Sequence, residues 1–327
     1  MRTAAILLVL VATAVASLSL GLRNAGPAAL WHALAAPEPA TALDITLREI
    51  RLPRLLAGLL AGAALGMAGT VMQALTRNPL ADPGLLGIGA GAALAIVLGA
   101  LATGRADGGA MAMMAFPGAA AGAAAVFALG GGFRGEMGPV RLTLAGAALN
   151  AFLLSLVTAI ALLRGDALDI WRNWVSGSLA AAATRPLAAM APIAAAGAVL
   201  ALVIAPMLET LALGQALSRG LGARLLQTQG LALLAVTLMT GAAVAVAGPL
   251  AFLGLVTPLL ARRVMGQSLR GQLVGAALLG ATILVAADLA GRLVVPPAEI
   301  RAGVMVALIG APVFLWIARR LAPGAGT

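Results

Sequence analysis

The sequence predicts an all-α integral membrane protein with about ten transmembrane helices, in which residues 1–327 form a single domain. Apolar residues make up 62% of the chain and charged residues only 10%, and the mean hydropathy is +1.05. A soluble domain carries about 25% charged residues. Uncharged runs near the ~20 residues that a membrane-spanning helix needs occur at 3–22, 55–76, 84–104, 108–133, 142–163, 187–208, 230–261, 271–287 and 302–318.

The first run, 3–22, has two interpretations. Met1-Arg2, the apolar run and the triplet Ala14-Val15-Ala16 are compatible with a cleaved signal peptide. The run continues to Leu22 and so reaches spanning length. We therefore favour a first transmembrane helix.

The second run, 55–76, carries Gly58, Gly62 and Gly66 at four-residue spacing. Residues at this spacing lie on one face of a helix, where small side chains let another backbone approach closely. The spacing predicts a helix-helix contact, although glycine is frequent enough in this chain for it to arise by chance.

A turn separates the second run from the third. Asn78-Pro79 and Asp82-Pro83 stop one helix and prepare the next, because proline lacks a backbone donor and biases the residue before it away from helical geometry.

The run 230–261 is too long for one transmembrane helix. Gly248-Pro249 interrupts it, so we expect a full helix followed by a short one that contains Pro258. The division brings the number of membrane segments to ten.

The residue inventory excludes several kinds of chemistry. All 21 basic residues are arginine, so the lysine of a phosphate-binding loop does not exist in this chain. No cysteine is present and His32 is the single histidine, which leaves no thiolate or multi-histidine metal site. The arginines are scattered singly at the ends of the runs, a pattern that indicates anchoring to the lipid bilayer instead of nucleic-acid binding. We predict no catalytic site, no metal site and no bound cofactor.

Several ordered motifs carry a family resemblance that extends almost from end to end. The residues that carry it are Arg51-Leu52-Pro53-Arg54, Gln73, Arg77 to Pro83, Gly87, Trp174, Gly177-Ser178-Leu179, Gly248-Pro249, Gly254-Leu255-Val256, Pro258, Ala287-Asp288, Arg292, Glu299-Ile300, Gly303 and Gly310-Ala311-Pro312. With these residues the chain closely resembles the permease subunits of type II ABC importers for ferric siderophores, haem and cobalamin.

The resemblance implies a fold, partners and a location. The expected fold is BtuC-like, with ten transmembrane helices, short broken helices and cytoplasmic coupling helices. The implied partners are a second copy of the chain, two ABC ATPase subunits that use ATP and Mg, and a periplasmic substrate-binding protein. The implied location is the bacterial inner membrane, with both termini cytoplasmic, 23–50 and 164–186 outside, and 77–83, 134–141 and 209–229 inside. The implied cargo is an iron chelate, either haem or a ferric siderophore, and the alternative is cobalamin.

Three arginines are candidates for docking the binding protein. Arg51 and Arg54 lie three residues apart at the outer start of the second helix, where Pro53 is tolerated in a first helical turn. Without the resemblance, we would interpret them as interfacial anchors. The resemblance implies that Arg51, Arg54 and Arg292 pair with acidic residues of the binding protein, for which a planar guanidinium is suited.

Asp288 is an acidic residue inside a membrane segment and so suggests a function by default. An ion-coupled secondary transporter would use such a group as a proton relay. Asp288 also precedes Arg292 by four residues, the spacing at which helical side chains meet. We therefore expect Asp288 to orient Arg292 through a local pair.

The resemblance also implies the remaining site residues. It assigns the cytoplasmic gate to Asn78 and Leu80, and the transport pathway to Leu144, Asn150 and Gly310. It also assigns the contact with the ATPase to Leu211, Gly214, Arg219, Leu221 and Gly222. Sequence alone allows a different interpretation of this last segment, as short helices that lie at the lipid interface.

Overall fold

The computed structural model describes residues 2–21, 23–35, 41–104, 108–132, 138–212, 214, 218, 220 and 224–321. Every regular element among them is helical. The helices are α1 (Arg2–Ser19), α2 (Pro27–Ala35), α3 (Ala42–Ile45), α4 (Leu52–Thr76), α5 (Ile88–Thr103), α6 (Gly108–Leu129), α7 (Pro139–Leu163), α8 (Gly165–Val175), α9 (Leu187–Ala212), α10 (Leu225–Ala247), α11 (Leu253–Met265), α12 (Leu269–Val294) and α13 (Ala302–Leu321).

Shorter elements join some of these helices. A π-helical segment (Thr46–Arg51) connects α3 to α4 without a break, and a 3-10 turn (Pro83–Leu86) precedes α5. A second 3-10 turn (Ala182–Thr184) precedes α9.

The membrane segments agree with the sequence prediction. Within the described part of the chain, seven helical segments are long and apolar enough to cross a membrane. They are Arg2–Ser19, Ala42–Thr76, Gly109–Leu129, Val140–Leu163, Leu187–Ala212, Leu225–Ala247 and Leu269–Val294. The shorter apolar helices Ile88–Thr103 and Ala302–Trp316, together with α11, complete the set of about ten.

The predicted interruption at Gly248-Pro249 is confirmed. Helix α10 ends at Ala247, Gly248 adopts a φ of 75°, and α11 begins at Leu253 and contains Pro258. A side chain on Gly248 would meet the carbonyl of Trp174 at 2.9 Å, so glycine suits both the backbone angle and the space. The break divides one apolar run into a long helix and a short one.

Helix α4 lies at the centre of the bundle and contacts α9, α10, α11 and α12. Its predicted glycine contact is confirmed, because a Cβ on Gly62 would lie 2.4 Å from the carbonyl oxygen of Gly280. A Cβ on Gly66 would lie 2.2 Å from that of Ala276. The backbones of α4 and α12 therefore touch, an approach that larger residues would prevent.

Helices α7 and α13 are much less buried than α4. Both are apolar, yet Leu144 and Phe152 on α7 are 65% and 60% exposed, and Leu308 on α13 is 61% exposed. Apolar side chains that a membrane chain leaves exposed face lipid or another subunit.

Candidate functional site

The three predicted docking arginines meet at one end of the bundle, which we call the arginine end. The C-terminus of α1, the π-helical segment, the start of α4 and the end of α12 converge there. They surround a cavity of about 340 Å³, and its lining includes Arg23, Arg51, Arg54, Arg292 and Glu299. Residues far apart in the sequence thus form one charged site.

Arg54 is held by two carboxylates. Its Nε donates to both carboxylate oxygens of Asp288, at 2.9 and 2.8 Å, and its Nη1 donates to Oε2 of Glu299 at 2.7 Å. Arg54 is only 5% exposed. A buried guanidinium is stable only when it is paired and hydrogen-bonded, and these two acids provide that pairing.

The predicted pair between Asp288 and Arg292 is present, although Arg54 lies closer to Asp288. The Nε of Arg292 is 3.4 Å from Oδ2 of Asp288, against 2.8 Å for the Nε of Arg54. Arg292 also donates from Nη2 to the carbonyl and hydroxyl oxygens of Ser17, at 3.1 and 2.8 Å. Asp288 therefore links two arginines, where the sequence predicted one.

Arg51 is buried against α1 and lines the same cavity as Arg54. Its Nη1 donates to the carbonyls of Leu18 and Ser19, at 2.6 and 3.3 Å, and its Nη2 to that of Arg23 at 2.6 Å. The last carbonyls of a helix lack partners within it and carry partial negative charge. Arg51 is the last residue of the π-helical segment Thr46–Arg51.

His32 lies on α2, close to the same end. Its Nδ1 is 3.4 Å from Oδ1 of Asp44, whose other oxygen accepts from the backbone and hydroxyl of Thr41 at 2.9 Å. The contact gives one ring nitrogen of His32 a partner within the protein. Among the described residues, no group of three or more potential ligands of the His, Cys, Asp and Glu types could hold a metal.

The two predicted gate residues lie in the turn between α4 and α5. Arg77 ends α4 with a φ of 51°, and the side-chain oxygen of Asn78 accepts from the Leu80 N–H at 2.9 Å. Leu80 is 39% exposed. Asp82 caps the following 3-10 turn by accepting from Gly84 N–H at 2.7 Å. Burial raises the pKa of the Asp82 carboxyl, and the hydrogen bond from Gly84 opposes that shift.

The three predicted pathway residues occupy different environments. Leu144 is exposed on α7, and the Nδ2 of Asn150 on the same helix donates to the carbonyl of Gly84 at 3.1 Å. Gly310 on α13 packs against Phe252, whose Cβ would lie 2.7 Å from an added side chain. Asn150 thus connects α7 to the turn that carries the predicted gate.

The predicted ATPase contact is only partly described. Leu211 is buried near the end of α9, and Gly214 follows it with a φ of 102°. Arg219, Leu221 and Gly222 lie outside the described residues. Beside this segment, Oε1 of Glu209 accepts from Leu269 N–H at 2.7 Å and so satisfies a free donor at the start of α12.

Sequence reasoning did not select Glu209 or Glu299 as site residues. Glu299 stood within one of the matching motifs, and that was the available signal. Its partner Arg54 is 245 residues away, so no local spacing rule could pair them. Glu209 contacts a backbone group, which leaves no trace in a sequence pattern.

The described residues form a helical membrane chain with a broken α10–α11 segment, a charged cavity at one end and exposed apolar helices, an architecture that fits a membrane transport subunit. Residues 7–320 match the FecCD transport family, and the chain belongs to that family. Its members are permease subunits of transport systems.

Individual relatives agree with this assignment. The ferric enterobactin transport system permease protein FepD of Escherichia coli (strain K12) is 43% identical over 320 residues, covering 98% of this chain and 95% of that protein. The hemin transport system permease protein HmuU of Yersinia pestis is 38% identical over 278 residues, covering 83% and 82%. A solved structure described as an inward-facing conformation of a "putative metal-chelate type ABC transporter" superposes with a TM-score of 0.84 at 26% identity, covering 98% of this chain and 99% of that one.

Proposed function

We propose that the chain is the membrane-spanning permease subunit of an ABC importer that carries an iron chelate, haem or a ferric siderophore, across the bacterial inner membrane. The carrying observation is the match of almost the whole chain to relatives named for ferric enterobactin and hemin transport. Those names favour iron chelates over cobalamin, which stays the alternative cargo within the same family.

The proposal includes partners. Two ATPase subunits would use ATP and Mg on the cytoplasmic side, since the chain lacks the lysine of a phosphate-binding loop. A second copy of the chain would pair with the first along the exposed apolar surfaces of α7 and α13. Leu144 and Phe152 on α7 and Leu308 on α13 supply such surfaces. Both termini would be cytoplasmic, which would put the arginine end outside.

Docking of a binding protein would occur at the arginine end. The cavity there is lined by four arginines and Glu299 and is large enough to admit acidic side chains. Guanidinium groups keep their charge and bind carboxylates through paired donors. Arg51, Arg54 and Arg292 would engage acidic residues of the partner. Arg51 and Arg292 would give up hydrogen bonds to α1 to do so.

The proposal also includes a transport pathway and a cytoplasmic gate, on the assumption that the arginine end faces outside. Leu144, Asn150 and Gly310 would border the route of the chelate, and Asn78 and Leu80 would narrow its cytoplasmic exit. Support comes from the hydrogen bond of Asn150 to the gate turn and from the exposure of Leu80. Leu211, Gly214, Arg219, Leu221 and Gly222 would carry the movement of the ATPase to the helices.

Purification of the chain from its native membrane tests the function. We expect an ABC ATPase and a binding protein to copurify, and we expect ferric enterobactin or haemin, added with the binding protein, to stimulate ATP hydrolysis in proteoliposomes. Cobalamin is the matched control for the cargo. Uptake driven by an ion gradient without any ATPase would contradict the proposal and establish a secondary transporter.

A further inference from the structure

Glu299 occupies the place that a docking partner needs. We propose that Glu299 is an internal stand-in for the partner's carboxylate: it neutralises Arg54 while the permease is free and is displaced when an acidic side chain docks. This inference rests on the proposed docking function and adds to it a residue that limits the strength and the duration of docking.

The first observation is that the docking arginine is already occupied. Arg54 is 5% exposed, its Nε faces Asp288, and its Nη1 donates to Glu299 at 2.7 Å. A buried arginine without its second carboxylate would carry a large desolvation cost. Docking therefore has to replace one carboxylate with another, instead of filling an empty position.

The second observation shows which of the two carboxylates can leave. Asp288 lies within α12, its side chain is 3% exposed, and it also pairs with Arg292. The side chain of Glu299 is 43% exposed and belongs to the loop between α12 and α13. Water can solvate Glu299 after it leaves, whereas Asp288 would have to break two pairs inside the bundle.

The third observation is that the exchange needs no unfolding of the loop. The N–H of Ile300 donates to the carbonyl of Gly291 at 3.0 Å, and Arg301 donates from Nη2 to Oδ1 of Asn173 at 3.0 Å. The backbone beside Glu299 is thus held on its C-terminal side. A rotation of the Glu299 side chain would free Arg54 while these contacts remain.

The competing carboxylate lowers the apparent affinity of the permease for the binding protein. Only the fraction of permease with a free Arg54 can bind the partner's carboxylate. An internal competitor also returns to Arg54 after transfer and helps the empty binding protein to dissociate. The pairing of a semi-exposed acid with a buried arginine therefore suits a partner that must bind and leave in every cycle.

Binding kinetics test the proposal on the intact permease-ATPase complex in lipid nanodiscs, with the copurified binding protein as the probe. We expect Glu299→Gln to slow dissociation of the binding protein by about tenfold, the effect of losing one charge-assisted competitor. Glu49→Gln removes an exposed carboxylate from the π-helical segment at the same end and controls for the general change in charge. We expect it to leave dissociation unchanged.

A double-mutant cycle separates this inference from the docking function. In an Arg54→Gln background, Glu299→Gln should no longer change dissociation. One outcome is that Arg54→Gln weakens binding while Glu299→Gln leaves dissociation unchanged or makes it faster. This outcome would overturn the role of Glu299 but not docking at Arg54. Unchanged binding by Arg54→Gln would overturn docking at Arg54 as well. Glu299→Asp keeps the charge but reaches less far, so it should slow dissociation as Glu299→Gln does. It serves as the second variant if the glutamine variant folds poorly.

Discussion

At the residue scale, the charge balance at the arginine end depends on Asp288. Asp288 accepts hydrogen bonds from Arg54 and pairs with Arg292. Asp288 and the semi-exposed Glu299 thus together balance the charges of two buried guanidinium groups. Such an arrangement is fragile, because removing one partner leaves a charge in a medium that solvates it poorly. Its integrity is therefore measurable as stability.

We expect Asp288→Asn to destabilise the protein by about 3–5 kcal/mol, the cost of breaking a buried ion pair from one side. Thermal unfolding in detergent, followed by tryptophan fluorescence, measures the effect. Asp169→Asn is the matched control, since Asp169 pairs with Arg172 at 2.9 Å on the surface and both side chains are mostly exposed. Equal melting temperatures for the two variants would contradict a structural role for the buried pair.

At the scale of elements, α4 and α12 are joined by direct backbone contact. Gly62 faces Gly280 and Gly66 faces Ala276, each so closely that a Cβ would lie within 2.4 Å of a carbonyl oxygen. Close packing of this kind stabilises membrane helices, where no hydrophobic force favours one apolar neighbour over another. The contact should therefore be sensitive to the addition of a single methyl group.

We expect Gly62→Ala to cost about 1–3 kcal/mol through overpacking, seen as a lower melting temperature and a lower yield of folded protein. Gly89→Ala on α5 is the control, because a Cβ there meets no atom within 4 Å. Alanine at that position should be neutral or stabilising by up to about 1 kcal/mol, since it favours helix more than glycine does. A melting temperature for Gly62→Ala at or above that of the unmodified protein would rule out the backbone contact.

At the scale of the whole molecule, the turn at 77–87 connects the central helix α4 with the exposed helix α7. The turn follows the buried helix α4, and Asn150 on the exposed helix α7 donates to Gly84 within it. A movement of α7 would therefore displace the turn that contains Leu80 through the hydrogen bond between Asn150 and Gly84. This arrangement makes the proposed gate testable by transport.

We expect Leu80→Ala to raise the leak of ferric enterobactin or haemin from proteoliposomes in the absence of ATP, because a smaller side chain narrows the exit less. Leu98→Ala on α5 is a suitable control, since Leu98 is also exposed and apolar but lies away from the turn. Leak and ATP-driven uptake that both match the unmodified protein would reduce residues 77–87 to a simple turn.

Most of the fold was predictable because spanning helices need long apolar runs, and proline and glycine mark their interruptions. The break at Gly248-Pro249 followed from those rules. Helices α2 and α8 did not, because they lie outside the apolar runs, in segments for which the family resemblance implied only an outward location. At the site, the i,i+4 spacing revealed Asp288 with Arg292, whereas the tighter bond from Arg54 joins residues 234 apart and needs the tertiary structure.

The contact between α4 and α12 also limits how the molecule can change shape. Glycine packing joins the two helices near their middle, and the ion pair of Arg54 with Asp288 joins them at one end. We expect α4 and α12 to move together as one rigid unit during the proposed transport cycle. The exposed helices α7 and α13 should then be the ones that change position. Spin labels on α4 and α12 should then report one constant distance through the cycle, whereas labels on α7 should report two.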